Sequence, residues 1–118
     1  MGNKLFYNLS IVFLFLSCNK DIENVKLDGY IFDKDKNLPL ENVRLKIENA
    51  YYEGGDFDSY NHFENYVLIT DKNGYYSIIF KKSAYIQVEV FGEGYMIDFK
   101  ATEVYRDKQR FNFYLVKD

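Results

Sequence analysis

The stretch Tyr66–Phe80, YVLITDKNGYYSIIF, decides the fold class of this chain. Before a polar break, residues 66–70 form a short apolar run that is typical of a β-strand, and after it Tyr76, Ile78 and Phe80 recur at every second position, as in a strand with one buried face. The break itself, Asp71-Lys72-Asn73-Gly74, predicts a hairpin turn because an Asn-Gly pair tolerates positive φ. This stretch therefore predicts two β-strands that are joined by a tight turn.

The same alternation recurs along the rest of the chain, and no segment has a 3.6-residue period long enough for a helix. Seven short strands with turn signals between them predict an all-β, two-sheet β-sandwich. A closed barrel is the alternative, although nothing in the sequence enforces closure. Besides the two strands above, the predicted strands carry Val25, Leu27 and Ile31; Val43, Leu45 and Ile47; Ile86, Val88 and Val90; residues 95 to 102; and Phe111, Phe113 and Leu115.

Residues 1–17 have the parts of a secretory signal peptide, with Lys4 before an apolar core and Ser17 at the expected cleavage point. The core is about a dozen residues long, whereas a membrane-spanning helix needs roughly 20. The only cysteine, Cys18, follows directly. An ordinary signal peptide or an uncleaved anchor with a chance cysteine is the alternative interpretation.

The segment Leu14–Cys18, LFLSC, resembles the lipobox of bacterial lipoproteins. The resemblance implies that Cys18 is acylated, that it becomes the new N-terminus, and that its lipid anchors the protein to a membrane. Residues 18–24 are then a polar linker. The lysine and acidic residues after Cys18 also resemble the export signal of Bacteroidetes-type lipoproteins, which implies an outer-membrane lipoprotein that is periplasm-facing or surface-exposed.

Charge and cysteine content exclude some classes of function. Without Lys4, 14 of the 15 basic residues remain against 18 acidic ones, so the formal charge is −4. There is no basic cluster in the sequence, and we therefore expect no nucleic-acid partner. Beyond Cys18 no cysteine remains for a disulfide, so packing alone must hold the fold.

Four segments, in order, resemble the carboxypeptidase regulatory-like domain. The resemblance implies that residues 25–118 form a transthyretin-like (prealbumin-like) or Ig-like β-sandwich, a fold that is usually an accessory module rather than a catalyst. Gly74 permits the tight turn that this pattern contains. The four segments are Leu27–Asp33, Leu38–Leu45, Thr70–Ile78, and Ile86–Val90 followed by Gly94-Tyr95.

The connection from about Ala50 to Asn65 is long for a compact domain and rich in aromatic residues. Tyrosine among Gly, Ser, Asn and Asp is the composition of recognition loops, because aromatic rings give a large contact area at little entropic cost. The alternative is a β-hairpin whose rings cover the edge of the sandwich. The candidate ligand-binding residues are Tyr51, Tyr52, Phe57, Tyr60 and Phe63.

No catalytic residue, metal site or cofactor is predicted. His62 is the only histidine, so one chain lacks the residues for a zinc site with two histidine ligands. The segment Asp33–Asn37 begins like a calcium loop, but Leu38 occupies the position of the required glycine. For the group Asp56, Asp58, His62 and Glu64, a solvated acidic loop is the favoured interpretation over a metal site.

These observations predict a non-catalytic, lipid-anchored module of the cell envelope that binds an unidentified envelope protein or glycan, with the 50–65 loop as the candidate surface. One alternative is a structural spacer or accessory subunit of an envelope complex without a ligand of its own. Another is a small hydrolase of the transthyretin-like type, although the chain lacks the several histidines and the C-terminal Tyr-Arg-Gly-Ser of that enzyme.

Overall fold

The computed structural model describes residues 20–53 and 60–118. Within these ranges the chain forms eight β-strands and no helix, and so contains no helical segment able to span a membrane. The signal-peptide and Cys18 predictions, and that for Phe57, lie outside the described residues. The strands are β1 (Ile22–Asp33), β2 (Arg44–Tyr51), β3 (His62–Ile69), β4 (Tyr75–Ser83), β5 (Tyr85–Phe91), β6 (Asp98–Glu103), β7 (Lys108–Arg110) and β8 (Phe113–Leu115).

The strands form two four-stranded sheets, which confirms the predicted all-β sandwich. In the first sheet β1 is central, with β4 antiparallel on one side and β7 and β8 parallel on the other. The second sheet has the order β3-β2-β5-β6 and is antiparallel throughout. The core between them contains Val25, Leu27, Ile31, Val43, Leu45, Ile47, Tyr76, Phe80, Ile86, Val88, Val90, Val104, Phe113 and Leu115.

Gly29 lets the C-terminal strands approach β1 closely. A Cβ atom at this position would lie 1.8 Å from the carbonyl oxygen of Phe111, far inside any real contact distance. The backbone there is tied to β1, since the Phe111 N–H donates to the Asp28 carbonyl at 2.9 Å. Gly29 is therefore required by the packing of backbone against backbone.

The predicted hairpin at residues 71–74 is wrong, although a tight turn is present. Gly74 has φ of 72° and donates its N–H to the Asp71 carbonyl at 2.9 Å. However, β3 pairs with β2 and β4 pairs with β1, so the turn links the two sheets. The Gly74 carbonyl accepts the Ile31 N–H at 2.8 Å, which ties the turn to the first sheet.

The described chain has eight strands where seven were predicted, because β7 was not predicted. It lies before the last predicted strand, which corresponds to β8. Between β7 and β8 lies Asn112, whose side-chain Oδ1 accepts the Tyr30 N–H at 2.9 Å in place of a backbone carbonyl. At the other end β1 begins at Ile22, so the last three residues of the predicted 18–24 linker lie in this strand.

Within the described residues, strands β2 and β3 form one β-hairpin, and β5 and β6 form another. The β2–β3 ladder runs from Arg44↔Ile69 to Tyr51↔His62, so residues 52–61 connect these two strands, a shorter connection than the predicted 50–65. The start of this connection is fixed by Asp21, whose carboxylate accepts the N–H groups of Tyr52 and Glu53, both at 2.7 Å.

Candidate ligand-binding site

A hydrogen-bonded ion pair stands on the outer face of the first sheet. Val25, Leu27 and Ile31 of β1 face the core, so Asp28 faces outward. Its carboxylate accepts two hydrogen bonds from Arg110 of β7, one from Nε and one from Nη2, both at 3.0 Å. Tyr75 of β4 donates a third from its hydroxyl at 3.1 Å. Three strands thus meet at one carboxylate.

The contact between Asp28 and Arg110 shifts the pKa of both side chains. Hydrogen bonding from Arg110 is the main cause that lowers the pKa of Asp28, with help from Tyr75, while partial burial opposes it. The same contact raises the pKa of Arg110 above its usual value. Because the Asp28 side chain is only 13% exposed while that of Arg110 is 56% exposed, the carboxylate is covered and the guanidinium is available to a ligand.

Four rings on the same face form what we term the aromatic strip: Tyr75, Tyr30, Phe32 and Tyr114. Their neighbouring centroids lie 5.0, 6.0 and 5.5 Å apart, in that order. The strip follows from sheet geometry, because Tyr30 pairs with Tyr75, Phe32 pairs with Tyr114, and positions two apart in β1 share a face. Arg110 joins the ion pair to the strip, with its guanidinium carbon 5.7 Å from the Tyr30 centroid.

Beside the ion pair lies a concavity of about 330 Å³. This concavity lies along β1 and β7, on the side of the ion pair that faces away from the aromatic strip. Because residues of these two strands pair directly, Lys26 lies opposite Lys108 and Asp28 lies opposite Arg110. We term it the basic concavity, and its lining consists of Lys26, Asp28, Lys108, Gln109 and Arg110.

The outer face of the second sheet carries a larger groove of about 410 Å³. Its walls include Lys46, Glu89, Val67 and Phe99. Of its polar lining residues, Gln87 accepts a hydrogen bond from the Tyr85 hydroxyl at 3.3 Å, and Tyr66 is hydrogen-bonded to Glu64. Preorganised polar groups favour binding, so the smaller concavity, with its fixed ion pair, is the stronger candidate.

The predicted loop residues occupy two different environments. Tyr52 and Tyr60 pack together at 4.8 Å, and Tyr60 also contacts Tyr85 at 5.6 Å. Burial, with the neighbouring Tyr52, raises the pKa of Tyr60 to about 12. Phe63, by contrast, is 57% exposed on β3. The predicted loop residues that the structure describes therefore differ in packing and exposure, and their role in ligand binding remains a prediction.

Tyr51 lies at the end of β2, with its ring stacked on His62 at 5.0 Å. His62 Nε2 is 3.2 Å from a carboxylate oxygen of Glu53, whose other oxygen is 3.5 Å from Lys82. Glu53 thus contacts both His62 and Lys82. Across residues 20–53 and 60–118, no group of three or more His, Cys, Asp or Glu side chains is placed to hold a metal ion.

Asp33, where the calcium-like segment begins, serves the turn itself. Its Oδ1 accepts the N–H groups of Asp35 and Lys36, both at 2.9 Å, and its Oδ2 accepts the Tyr95 hydroxyl at 2.6 Å. The bond from Tyr95 is the main cause that lowers the pKa of Asp33. The segment is a capped turn held to the loop before β6.

The residues of the aromatic strip and the ion pair were not singled out from the sequence. The alternation of β1 does put Asp28, Tyr30 and Phe32 on its outer face, and this pattern is readable as a polar-aromatic surface. Arg110 follows Asp28 by 82 residues, and no local pattern joins them. Only the parallel pairing of β1 with β7 brings the two together.

Comparison with solved structures shows the fold. The chain is similar to 3-chlorocatechol 1,2-dioxygenase from Rhodococcus opacus 1CP, with a TM-score of 0.63 and 12% identity over 81% of this chain and 61% of that one. It is also similar to catechol 1,2-dioxygenase from Acinetobacter sp. ADP1, with a TM-score of 0.62 and 17% identity over 80% of this chain and 53% of that one.

A third similar structure is a streptococcal ancillary pilin, with a TM-score of 0.53 and 15% identity over 82% of this chain and 30% of the pilin. The chain thus spans less than two thirds of each of these proteins. No protein-family model and no curated protein matches it. The β-sandwich is supported, and the carboxypeptidase regulatory-like resemblance remains a prediction.

The comparisons correct the expectation of a non-catalytic module. That expectation inferred an accessory role from the fold, yet the dioxygenases with this fold are enzymes. A fold does not determine whether its chain is catalytic, so the inference is wrong. Dioxygen chemistry is carried by metals or organic cofactors, and the described residues do not supply a convergent set of His, Cys, Asp or Glu ligands for a metal.

Proposed function

We propose that this chain binds a small planar aromatic compound that carries hydroxyl groups, on the aromatic strip of the first sheet. The observation that supports the proposal most is the strip itself, a row of four rings in stacked or tilted contact on an outer face, bordered by an ion pair. Catechol, which the names of the similar dioxygenases contain, belongs to this class of compound.

The strip suits a planar ring because aromatic pairs favour offset stacking, worth about 0.5–1.5 kcal/mol beyond burial. The rings of Tyr30 and Phe32 lie 20° from parallel, and those of Phe32 and Tyr114 lie 19° from parallel. These rings are therefore stacked on one another in a row, and a planar ligand ring would extend this stacking. A ligand ring added to an open row leaves one face in water, so we expect a dissociation constant of roughly 0.1–1 mM.

The ion pair supplies hydrogen-bonding partners for hydroxyl groups. A guanidinium has five N–H donors, and Asp28 takes one from Nε and one from Nη2 of Arg110. The other N–H groups of this half-exposed side chain point along a fixed plane, since the bidentate contact holds the guanidinium. Arg110 also borders Tyr30, so a ring stacked there would place its hydroxyl groups near these donors.

We propose further that the domain is of the carboxypeptidase regulatory-like kind and acts at the cell envelope, tethered through a lipid on Cys18. Support for this part comes from the sequence alone: residues 1–17 have the composition of a signal peptide, and the lipobox-like segment ends at Cys18. Mass analysis of the mature N-terminus tests the tether. An unmodified Cys18 would overturn it without bearing on the aromatic strip.

The binding proposal is tested by calorimetric or NMR titration of the protein with catechol. We expect saturable binding that is lost in the double variant Phe32→Ser/Tyr114→Ser. The control is Phe63→Ser/Phe99→Ser, which removes two rings that are more than half exposed on the other sheet. Equal binding by both variants contradicts the proposed site. Binding of a linear oligosaccharide in place of catechol contradicts the proposed class of ligand.

A further inference from the structure

Two lysines face each other in the basic concavity. Lys26 of β1 and Lys108 of β7 are directly paired in the parallel ladder, and neighbouring strands are only about 4.8 Å apart. Like charges directly opposite each other on a sheet are destabilising. An anion bound between the two ammonium groups would remove this repulsion.

The protein does not itself supply that anion in the part described by the structure. Asp28 is the one carboxylate that lines the concavity, and it is already bound by Arg110 and Tyr75. Across residues 20–53 and 60–118, neither lysine has a carboxylate oxygen within 4.0 Å of its ammonium nitrogen. The lining therefore contains three cationic side chains, and its one carboxylate, that of Asp28, already accepts hydrogen bonds from Arg110 and Tyr75.

The concavity and the aromatic strip are parts of one surface. Lys26, Asp28 and Tyr30 alternate along the outer face of β1, which spaces Lys26 and Tyr30 by about 13 Å. Arg110 bridges this interval, since it binds Asp28 and borders the Tyr30 ring. Extended lysine side chains shorten the gap further. A ligand with its ring on the strip can thus direct an acidic substituent to the lysines.

We infer that the ligand is a hydroxylated aromatic acid, with its ring on the aromatic strip and its carboxylate between Lys26 and Lys108. This inference rests on the proposed function and adds the charge of the ligand. Because the guanidinium fork of Arg110 is taken by Asp28, the carboxylate meets two ammonium groups, which act as point charges.

The test compares 2,3-dihydroxycinnamate, whose hydroxyl groups lie beside its acid chain, with its methyl ester, which has the same ring and side chain without the charge. At low salt we expect the acid to bind about tenfold more tightly than the ester, since each exposed charge contact is worth up to about 1 kcal/mol. Because such contacts are screened, the difference should shrink at high ionic strength.

Lys26→Gln/Lys108→Gln should abolish the difference between acid and ester and leave binding of the ester unchanged. Lys20→Gln/Lys46→Gln is the control, because it removes the same charge from exposed positions outside the basic concavity. Equal affinity of acid and ester for the unaltered protein overturns the inference, as does a difference that survives in Lys26→Gln/Lys108→Gln.

The two proposals fail in different ways. If acid and ester bind equally and both are lost in Phe32→Ser/Tyr114→Ser, the aromatic strip is the binding site and only the inference about charge is overturned. If the acid binds through the two lysines and is insensitive to Phe32→Ser/Tyr114→Ser, the proposed function is overturned and the anion site is supported. Binding of neither compound overturns both.

Discussion

Arg110 donates two hydrogen bonds of 3.0 Å to Asp28, a residue that precedes it by 82 positions. This contact closes the first sheet on its outer face, where Tyr75 of the opposite neighbouring strand donates to the same carboxylate. The ion pair therefore links β4, β1 and β7 through side chains, in addition to their backbone ladders. It also fixes the guanidinium beside the aromatic strip.

Asp28→Asn should lower the free energy of unfolding by about 1–3 kcal/mol. The neutral amide no longer pairs with the charge of Arg110, and its NH₂ group, which is a donor, replaces an oxygen that accepts a hydrogen bond. Urea denaturation measures the loss. The double variant Asp28→Asn/Arg110→Gln completes a thermodynamic cycle. Additive losses in the two single variants would show that the pair contributes no coupling energy.

The stability of the protein should fall in acid. The pKa of Asp28 is lowered in the folded state, mainly by Arg110, and that of Asp33 is lowered mainly by Tyr95. The unfolded chain therefore binds protons at higher pH than the folded one. The stabilisation is fully present above the ordinary carboxyl pKa and is lost as pH falls below about 4 through the folded-state values.

Denaturant titrations between pH 7 and pH 2 measure this dependence. Below about pH 4, the free energy of unfolding should depend less steeply on pH in Asp28→Asn than in the unaltered protein. Glu93→Gln, a change at an exposed loop residue, should leave this dependence unaltered. The same dependence in Asp28→Asn and in the unaltered protein would show that Asp28 does not contribute to the loss of stability in acid.

Gly29→Ala should destabilise the protein by at least about 3 kcal/mol or prevent folding, because its Cβ would lie 1.8 Å from the Phe111 carbonyl oxygen. Gly94→Ala is the comparison. Gly94 has φ of 83°, and a Cβ atom added there would have no heavy atom within 4 Å beyond its chain neighbours, so only the backbone penalty of about 1 kcal/mol applies. Thermal melts of the two variants should differ clearly, and similar melting temperatures would contradict the close approach.

Tyr60→Ser should cost about 1–3 kcal/mol of stability, since it removes ring contacts with both Tyr52 and Tyr85. Phe63→Ser, on an exposed side chain, should change stability by less than about 0.5 kcal/mol. Melting curves of the two single variants separate packing from surface roles within the predicted loop set. Equal losses would mean that Phe63 also packs.

Local pattern predicted the sandwich well and its connections less well. Period-two alternation identified the strand regions, because burial on one face of a sheet acts on every second side chain. The turn at Asp71–Gly74 has local chemistry that specifies a chain reversal, but that chemistry does not specify which sheet receives each strand. The break between β7 and β8 depends on Asn112 bonding to Tyr30, a contact that no local pattern contains.

The candidate site was harder to predict from the sequence, because it is formed by residues that are distant in sequence and meet only through strand pairing. The chain shows no basic cluster in sequence, yet Lys26 and Lys108 become neighbours through the β1–β7 ladder. The aromatic content of the 50–65 region was visible, whereas its division into the packed Tyr60 and the exposed Phe63 depends on tertiary contacts.

The parallel pairing of β1 with β7 and β8 sets an order of events for a newly made chain. Asp28 leaves the ribosome 82 residues before Arg110, a delay of roughly 4–16 s at 5–20 residues per second. During that interval β1 has no partner on one side, and an unpaired strand edge is a template for aggregation. Completion of the first sheet must therefore wait until β7 and β8 have been synthesised, which makes it a late step in the folding of this domain.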